Sequence, residues 1–175
     1  MNAPQDWAPY MSVQDAATVY LRDPELALEQ LRSVVEFPGI ASFIMSRGES
    51  EESWGSALWQ EVVATDGRRL IMWRADDEYR DDRRQLASSV RTILLSTITD
   101  HILSTEFDVL DDGTRRLSEV RLRMYTQLVT RARQTSATES DLYCESFRYT
   151  KSVGDGGLAQ MERLLQFGRV LSRSM

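Results

Sequence analysis

The sequence predicts an α+β fold: an N-terminal helical hairpin, then a strongly bent antiparallel sheet or partly closed barrel, then a C-terminal amphipathic helix as its cap. Three observations lead to this class. All four prolines lie at or before Pro38, so the remaining chain carries no residue that forbids central strand pairing. Two of its Asp-Gly pairs, Asp66-Gly67 and Asp112-Gly113, separate runs of apolar residues, as hairpin turns do. The final apolar stripe has the spacing of a helix.

Residues 1–11 are expected to form a flexible arm, because they are polar and contain two prolines. Trp7 and Tyr10 could nevertheless dock on the body of the protein. We predict that residues 12–175 form a single α+β domain, since a chain of 175 residues is close to the usual size of one compact domain.

Two helices are predicted after the arm. Ser12 and Asp15 resemble a capping pair, and the apolar residues that follow have helical spacing. Asp23 before Pro24 is a start signal for the second helix, because proline is tolerated in the first helical turn. We expect this helix to end near Phe37, ahead of a Pro-Gly pair.

The spacing of the apolar residues changes after Gly39, which predicts strands. A short strand is expected at 40–45, followed by an exposed acidic loop at 47–55. Segments 58–65 and 70–74 are rich in Val, Ile and Trp and flank an Asp-Gly pair. They are therefore predicted to form a β-hairpin.

The segment 86–103 is ambiguous. Its apolar residues fit a helix, whereas its Ser, Thr, Val and Ile content fits strands, and we favour strands. Residues 107–110 and 117–128 flank the second Asp-Gly pair and are predicted to form another hairpin. Apolar and charged residues alternate in the second limb, so one of its faces should be solvated.

The C-terminal part is predicted to hold a polar loop at 134–141, a strand at 142–150 and an amphipathic helix from Leu158 nearly to Met175. A run of strands closed by a final helix is similar to the element order of pleckstrin-homology-like barrels. No residue motif carries this similarity, and the two N-terminal helices are additional to it. No site residues follow from it.

Composition and charge predict an acidic, cytoplasmic protein of bacterial origin. The net charge of −6 should repel phosphate backbones, so nucleic-acid binding is not expected. No apolar run is long enough to span a bilayer, and the first residues lack the pattern of a signal peptide. The single Cys144 agrees with a reducing compartment. Lys151 is the only lysine among many arginines, as a GC-rich bacterial genome would produce.

No catalytic, cofactor-binding or metal-binding residues are predicted. His101 and Cys144 are the only members of their types, and neither lies in a nucleophile signature. One histidine and one cysteine leave only carboxylates for a metal site, and the acidic clusters lack the alternation of a calcium loop. The glycine-rich turn at 154–157 lacks the spacing of a phosphate-binding loop. We therefore favour a protein that is not an enzyme.

The leading functional hypothesis is a non-catalytic protein-interaction or regulatory module, because aromatic and arginine residues suited to protein contacts are plentiful. We expect a protein partner, or a homodimer formed through the edge of the 117–128 strand or through the N-terminal helices. The candidate contacts are Trp7, Tyr10, Arg121, Arg123 and Tyr125.

The alternative is a small-ligand-binding protein or small enzyme, with a pocket enclosed by the bent sheet. Its candidate polar groups are Glu61, His101 and Tyr143. Trp59 and Trp73 lie near Glu61 in sequence, as aromatic residues do in sugar-binding sites, but they are more typical of core or barrel-wall residues. Binding of a small molecule therefore remains an alternative to binding of a protein partner.

Overall fold

The structure is a computed structural model and describes residues 5–128 and 143–175. Within them it contains three α-helices and two antiparallel sheets of four and three strands, which confirms the α+β class. Two sheets replace the single bent sheet expected from the sequence, and the described strands form no closed barrel. The chain divides into two compact units, Met1–Ile93 and Leu94–Met175, which we call unit 1 and unit 2. The single domain predicted for residues 12–175 stays a prediction.

Residues 5–11 lie against unit 1. Trp7 is fully buried, and its ring contacts those of Tyr20 and Phe43 with centroid separations of 6.5 and 5.8 Å. Burial of one large aromatic side chain outweighs the polarity of its neighbours. This part of the predicted arm is therefore held on the helices and the sheet.

The first helix, α1 (Val13–Tyr20), begins as predicted. The Oγ of Ser12 accepts a hydrogen bond from the backbone N–H of Asp15 at 3.1 Å, which satisfies one of the unpaired donors of the first turn. The buried residues of this helix share one face, which places its apolar stripe in the core of unit 1: Val13, Ala16, Ala17 and Tyr20. The predicted capping pair is therefore confirmed.

The second helix, α2 (Pro24–Arg32), ends one turn earlier than predicted. Ser33 follows it and donates its hydroxyl to the carbonyl of Gln30 at 2.6 Å, an alternative to continued helix pairing. Two β-branched valines come next and weaken the helix further. The residues near Phe37 form a separate 3-10 turn, Phe37–Gly39, before the first strand.

Unit 1 contains the four-stranded sheet, in the order β1-β2-β3-β4. Its strands are β1 (Ser42–Glu52), β2 (Gly55–Thr65), β3 (Arg69–Arg80) and β4 (Arg83–Leu94). The predicted hairpin between β2 and β3 is confirmed. Gly67 lies in its turn with φ of 80°, a conformation that glycine adopts without steric cost.

The acidic segment 47–55 is mostly strand rather than the predicted loop. Its backbone pairs with β2 as far as Glu52 opposite Gly55, and only Ser53 and Trp54 form the turn. The glutamates of this segment are exposed to solvent. Polar composition misled the prediction, because charged side chains are compatible with a strand whose backbone groups are paired.

Asp81 and Asp82 form the turn between β3 and β4 with positive φ angles of 51° and 57°, as in a type I′ turn. Glycine relieves the steric cost of this conformation, so Asp82→Gly should raise the free energy of unfolding by about 0.5–1 kcal/mol in urea titrations. Asp111 lies in another hairpin turn, and its φ is not positive. Asp111→Gly should therefore give no gain, and an equal gain in both variants would contradict the explanation.

The ambiguous segment 86–103 forms strands, as we favoured. It contains most of β4, a 3-10 turn at Leu95–Thr97 and the first half of β5 (Ile98–Val109). Its apolar residues have helical spacing only by coincidence, since the 3-10 turn separates two strands that belong to different sheets.

Unit 2 contains the three-stranded sheet, in the order β5-β6-β7. β5 and β6 (Arg115–Leu128) form the predicted second hairpin, and β7 (Tyr143–Ser152) pairs with the other side of β6. The predicted polar loop at 134–141 lies outside the described residues. One face of β6 is fully buried and the other is solvated, as predicted, and the buried side chains are Val120, Leu122 and Met124.

The last helix, α3 (Gly157–Ser174), packs on the buried face of this sheet. Gly168 allows α3 to approach β5 closely, because an added Cβ there would lie 2.9 Å from Cδ1 of Leu103 on β5. The predicted stripe is wrong at its start: Leu158 is 56% exposed, and the buried positions begin at Gln160. Apolar spacing alone did not locate the first residue that reaches the sheet.

Candidate interaction groove

An open groove with a volume of about 470 Å³ lies on the sheet of unit 1. Residues from β1, β2, β3 and the β1–β2 turn line it. We call it the Trp59 groove. Its aromatic lining consists of Trp54, Trp59 and Tyr79, and its charged lining consists of Glu52, Arg74, Asp76, Asp77, Glu78 and Arg80.

Trp59 is held in place from two sides. It lies opposite Gly48 on β1, where an added Cβ would be 2.7 Å from the indole Nε1, so the ring covers the Gly48 backbone closely. The guanidinium of Arg74 lies 5.3 Å from the centroid of the ring. Asp76 fixes that guanidinium through two hydrogen bonds of 2.8 and 2.6 Å. The half-buried indole is therefore oriented before any ligand arrives.

A second aromatic pair joins the β1–β2 turn to the end of β3. The rings of Trp54 and Tyr79 are stacked, with centroids 5.8 Å apart and planes inclined by 17°. Arg84 lies over Trp54 at 5.1 Å from its centroid. Gly55 has φ of 120°, a conformation that favours glycine, and an added Cβ would lie 2.6 Å from Nη2 of Arg84. One end of the groove is thus bounded by a stack of three planar groups.

The floor of the groove is anchored to the helices by a polar network. Asp77 accepts two hydrogen bonds from the guanidinium of Arg22, each of 2.7 Å, and a third from the backbone N–H of Leu58 at 3.1 Å. The hydrogen bonds from Arg22 lower the pKa of Asp77, and they outweigh the opposing effect of burial. Gln60 is fully buried and donates to Asp23 at 2.6 Å.

Sequence reasoning missed this network, although Gln60 carried a signal. In the alternation of β2 it shares a face with the buried Leu58 and Val62, where a polar side chain needs a hydrogen-bonding partner. The partners, Arg22 and Asp23, lie 38 and 37 residues away in sequence, and no local pattern connects them.

Glu61, a predicted pocket group, lies beside the Trp59 groove and opposite Arg74 in the register of β2 and β3. Burial raises its pKa, because the charged form loses hydration, while the positive charge of Arg74 lowers it and the negative charge of Asp76 raises it. The structure therefore brings Glu61 together with Trp59 and two further charged groups.

The folded protein holds a proton on Glu61 more tightly than the unfolded chain does. Stability from this group is present at low pH and is lost as the pH rises from the usual value of 4.5 through the raised pKa. Glu61→Gln should consequently raise the free energy of unfolding at neutral pH and change it little at about pH 3. Urea titrations at both pH values would show this, and a loss at neutral pH would contradict it.

The other two predicted pocket groups, His101 and Tyr143, lie elsewhere, and Trp73 is a core residue, as the sequence favoured. Trp73 points to the opposite face of β3 from Arg74, is fully buried and donates its Nε1–H to Gln30 at 2.7 Å. His101 belongs to unit 2, where its Nε2 lies 2.7 Å from the Oγ of Ser172 on α3. Tyr143 is the first residue of β7, and its side chain lies outside the described part.

Two of the predicted partner contacts lie in the N-terminal segment. Trp7 is in the core of unit 1, so it does not form part of an exposed surface in this structure. Tyr10 is half-buried, and its backbone N–H donates to the carbonyl of Trp7 at 3.0 Å. The burial of Trp7 therefore fixes the position of this segment.

The other three contacts share the solvated face of β6. Arg121 pairs with Glu106 at 2.8 Å and also with Glu119, whereas Arg123 and Tyr125 are half-buried on the same face. The predicted dimer through the edge of this strand is wrong. β6 is the central strand, and both of its edges are hydrogen-bonded within the described sheet.

The chemistry available at the groove follows from its own side chains: aromatic rings for apolar and cation contacts, and charged groups for hydrogen bonds. In the described part of the chain, no three His, Cys, Asp or Glu side chains are grouped as a metal site would require. None of the described helices has the length and apolar character of a membrane span.

Comparisons with protein-family models, with curated proteins and with solved structures found no match to this chain.

Proposed function

We propose that this protein is a non-catalytic interaction module, and that the Trp59 groove binds an extended segment of a partner protein. One observation carries the proposal: a half-buried tryptophan at an open groove is held in one orientation by a glycine on one side and a fixed guanidinium on the other. Tryptophan, tyrosine and arginine are the residues that dominate binding energies at protein interfaces.

Preorganisation favours a binding role for Trp59. A side chain that is already oriented loses little conformational entropy when a partner arrives, so more of the contact energy appears as affinity. The anchoring of Asp77 by Arg22 extends the same rigidity to the floor of the groove. The shape also fits, because an open groove lined by residues of three strands admits an extended chain.

The test is to select peptides from a random display library on the full chain and to measure their affinities by calorimetry. Trp59→Ala should weaken the selected peptides by about 30-fold or more, as loss of a central aromatic anchor does. Gly48→Ala should also weaken them, since its Cβ would displace the indole without removing it. Met11→Ala is the matched control, because Met11 is 73% exposed and lies outside the groove.

The two outcomes of this selection are distinct. Loss of affinity in the Trp59 and Gly48 variants, with Met11→Ala unchanged, supports the proposal. Failure to enrich any peptide, or enrichment of peptides that bind the Trp59→Ala variant normally, would overturn it. Circular dichroism of each variant separates lost binding from lost folding.

The second candidate is a small-ligand-binding protein or small enzyme, and Glu61 supports it. A carboxyl group with a raised pKa beside an aromatic ring and an arginine is typical of functional sites. Thermal-shift measurements with monosaccharides, amino acids and small amines would test it. A rise in Tm that Glu61→Gln removes and Met11→Ala preserves would favour this candidate, and no shift with any compound would count against it.

The finer predictions about class and location also stay proposals. The packing of α3 on the unit 2 sheet supports a pleckstrin-homology-like order of elements. The acidic composition, the arginine-rich basic side and the single Cys144 support a cytoplasmic protein of bacterial origin.

A further inference from the structure

β5 is an edge strand of the unit 2 sheet, and it is unusually open to solvent. Nine of its twelve residues are exposed, whereas the edge strand β1 of unit 1 begins with four buried residues. Among the described residues, the backbone of β5 is hydrogen-bonded to β6, and its first residue, Ile98, also donates to the carbonyl of Leu95. No strand in the described part of the chain pairs with the outer row of N–H and C=O groups, which a further strand could therefore bind.

The edge of β5 lacks two of the residue types with which proteins commonly protect an edge strand. It contains no proline and no lysine. Irregularities between Ile98 and Asp100 and between Glu106 and Phe107 interrupt its pairing with β6 and leave seven regular residues, Asp100–Glu106. Seven regular residues exceed the usual strand length of about five or six, so the stretch is long enough to take up a partner strand.

The charges on this edge select the kind of strand that can bind. Asp100, Ile102, Ser104 and Glu106 alternate onto the solvated face, and Ile102 is 42% exposed. Glu106 shares the guanidinium of Arg121 with Glu119, so two carboxylates are balanced by one positive charge. Side chains on an added strand would lie about 5 Å from these positions, close enough for charge pairs to matter.

A second copy of the chain is disfavoured at this edge in the register centred on Leu103. In an antiparallel two-fold pairing about Leu103, Asp100 of one copy would face Glu106 of the other, twice. Like charges placed directly opposite each other destabilise a strand pair. The same acidic residues would attract a strand that carries a basic side chain at each of these two positions and an apolar one opposite Ile102.

We propose that the outer edge of β5 binds an extended, basic segment of another protein, which adds a fourth, antiparallel strand to the unit 2 sheet. Main-chain hydrogen bonds supply the affinity, and the pairs with Asp100 and Glu106 supply the selectivity. This surface is independent of the Trp59 groove, since it rests on different residues in the other unit.

The probe is a capped seven-residue peptide, Arg-Thr-Thr-Thr-Val-Thr-Arg, compared with its twin in which glutamate replaces both arginines. Titration of the isotope-labelled full chain, followed by NMR, should shift the amides of Asp100–Glu106 with the arginine peptide. The glutamate twin should bind at least about tenfold more weakly. No shift in β5 at about 1 mM arginine peptide, or equal binding of the twins, would overturn the proposal.

Two matched controls separate strand addition from general charge attraction. The double variant Asp100→Lys/Glu106→Lys should reverse the preference between the twins, and both positions are exposed or half-exposed edge sites that folding tolerates. Arginine peptides N-methylated on odd or on even residues should differ, because only one set of amides faces β5. An unchanged preference in the double variant, or equal binding of both methylated peptides, contradicts the proposal.

Discussion

Replacement of Trp7 with alanine is expected to lower the free energy of unfolding by about 3–5 kcal/mol, the usual cost of truncating a fully buried tryptophan. Trp7 is 0% exposed and fills the space between Tyr20 and Phe43. The flexible arm expected from the sequence would instead place it in solvent, where truncation costs little. Urea-induced unfolding followed by circular dichroism distinguishes the two cases directly.

Met11→Ala is the control for the Trp7 substitution. Met11 follows the same segment and is 73% exposed, so its truncation should change stability by less than about 0.5 kcal/mol. Trp7→Phe should fall between the two, because it keeps part of the buried ring. A loss below about 1 kcal/mol in Trp7→Ala would show that residues 5–11 are not docked in solution.

The second large effect is expected from Asp77→Asn, which should lower the free energy of unfolding by about 2 kcal/mol at neutral pH. The asparagine still accepts from Leu58, but Arg22 loses the carboxylate that binds both of its terminal nitrogens and keeps only Asp23, which accepts from its Nε at 2.7 Å. The two side chains are 16% and 28% exposed, so the loss is smaller than for a fully buried ion pair.

The contribution of Asp77 to the free energy of unfolding should decrease as the pH is lowered. Its pKa is lower in the folded protein than the usual 3.8, so its contribution is complete above that value and is lost as the pH falls through the folded pKa. Denaturant titrations from neutral pH down to about pH 3 should therefore show the wild type converging on Asp77→Asn. A constant difference over this range would contradict the ion pair as the cause.

The adjacent Asp76 is a matched control. It also makes a two-pronged pair with an arginine, Arg74, but the side chains are 36% and 48% exposed. Exposed pairs contribute little, so Asp76→Asn should cost no more than about 0.5 kcal/mol. Equal losses for the two variants would show that burial does not determine the strength of these pairs.

Local patterns in the sequence determined the helices, the hairpins and the class of the fold. The cap at Ser12, the proline start of α2 and the Asp-Gly turns each act within a few residues, so one sequence suffices to recognise them. The alternation in β6 likewise identified its buried face correctly. The loop predicted for the acidic segment 47–55 was wrong because it was inferred from composition, which does not show whether the backbone groups are paired.

Only some residues of the candidate site could be predicted from the sequence. Glu61 and Trp59 are near each other in the sequence, so their association could be predicted from it. Gly48, Arg74 and Asp76, which hold the indole, lie on neighbouring strands, and register decides that they meet. Register depends on pairing over the whole hairpin, which no single residue type reveals.

The sequence by itself thus determined which segments form helices and which form most of the strands, because propensity, capping and turn chemistry are local. Only the tertiary structure decided that the strands divide into two sheets, that Trp7 is core and that β5 is an open edge. Those properties depend on which distant segments pair and what they bury, and that choice is made by the free energy of the whole chain.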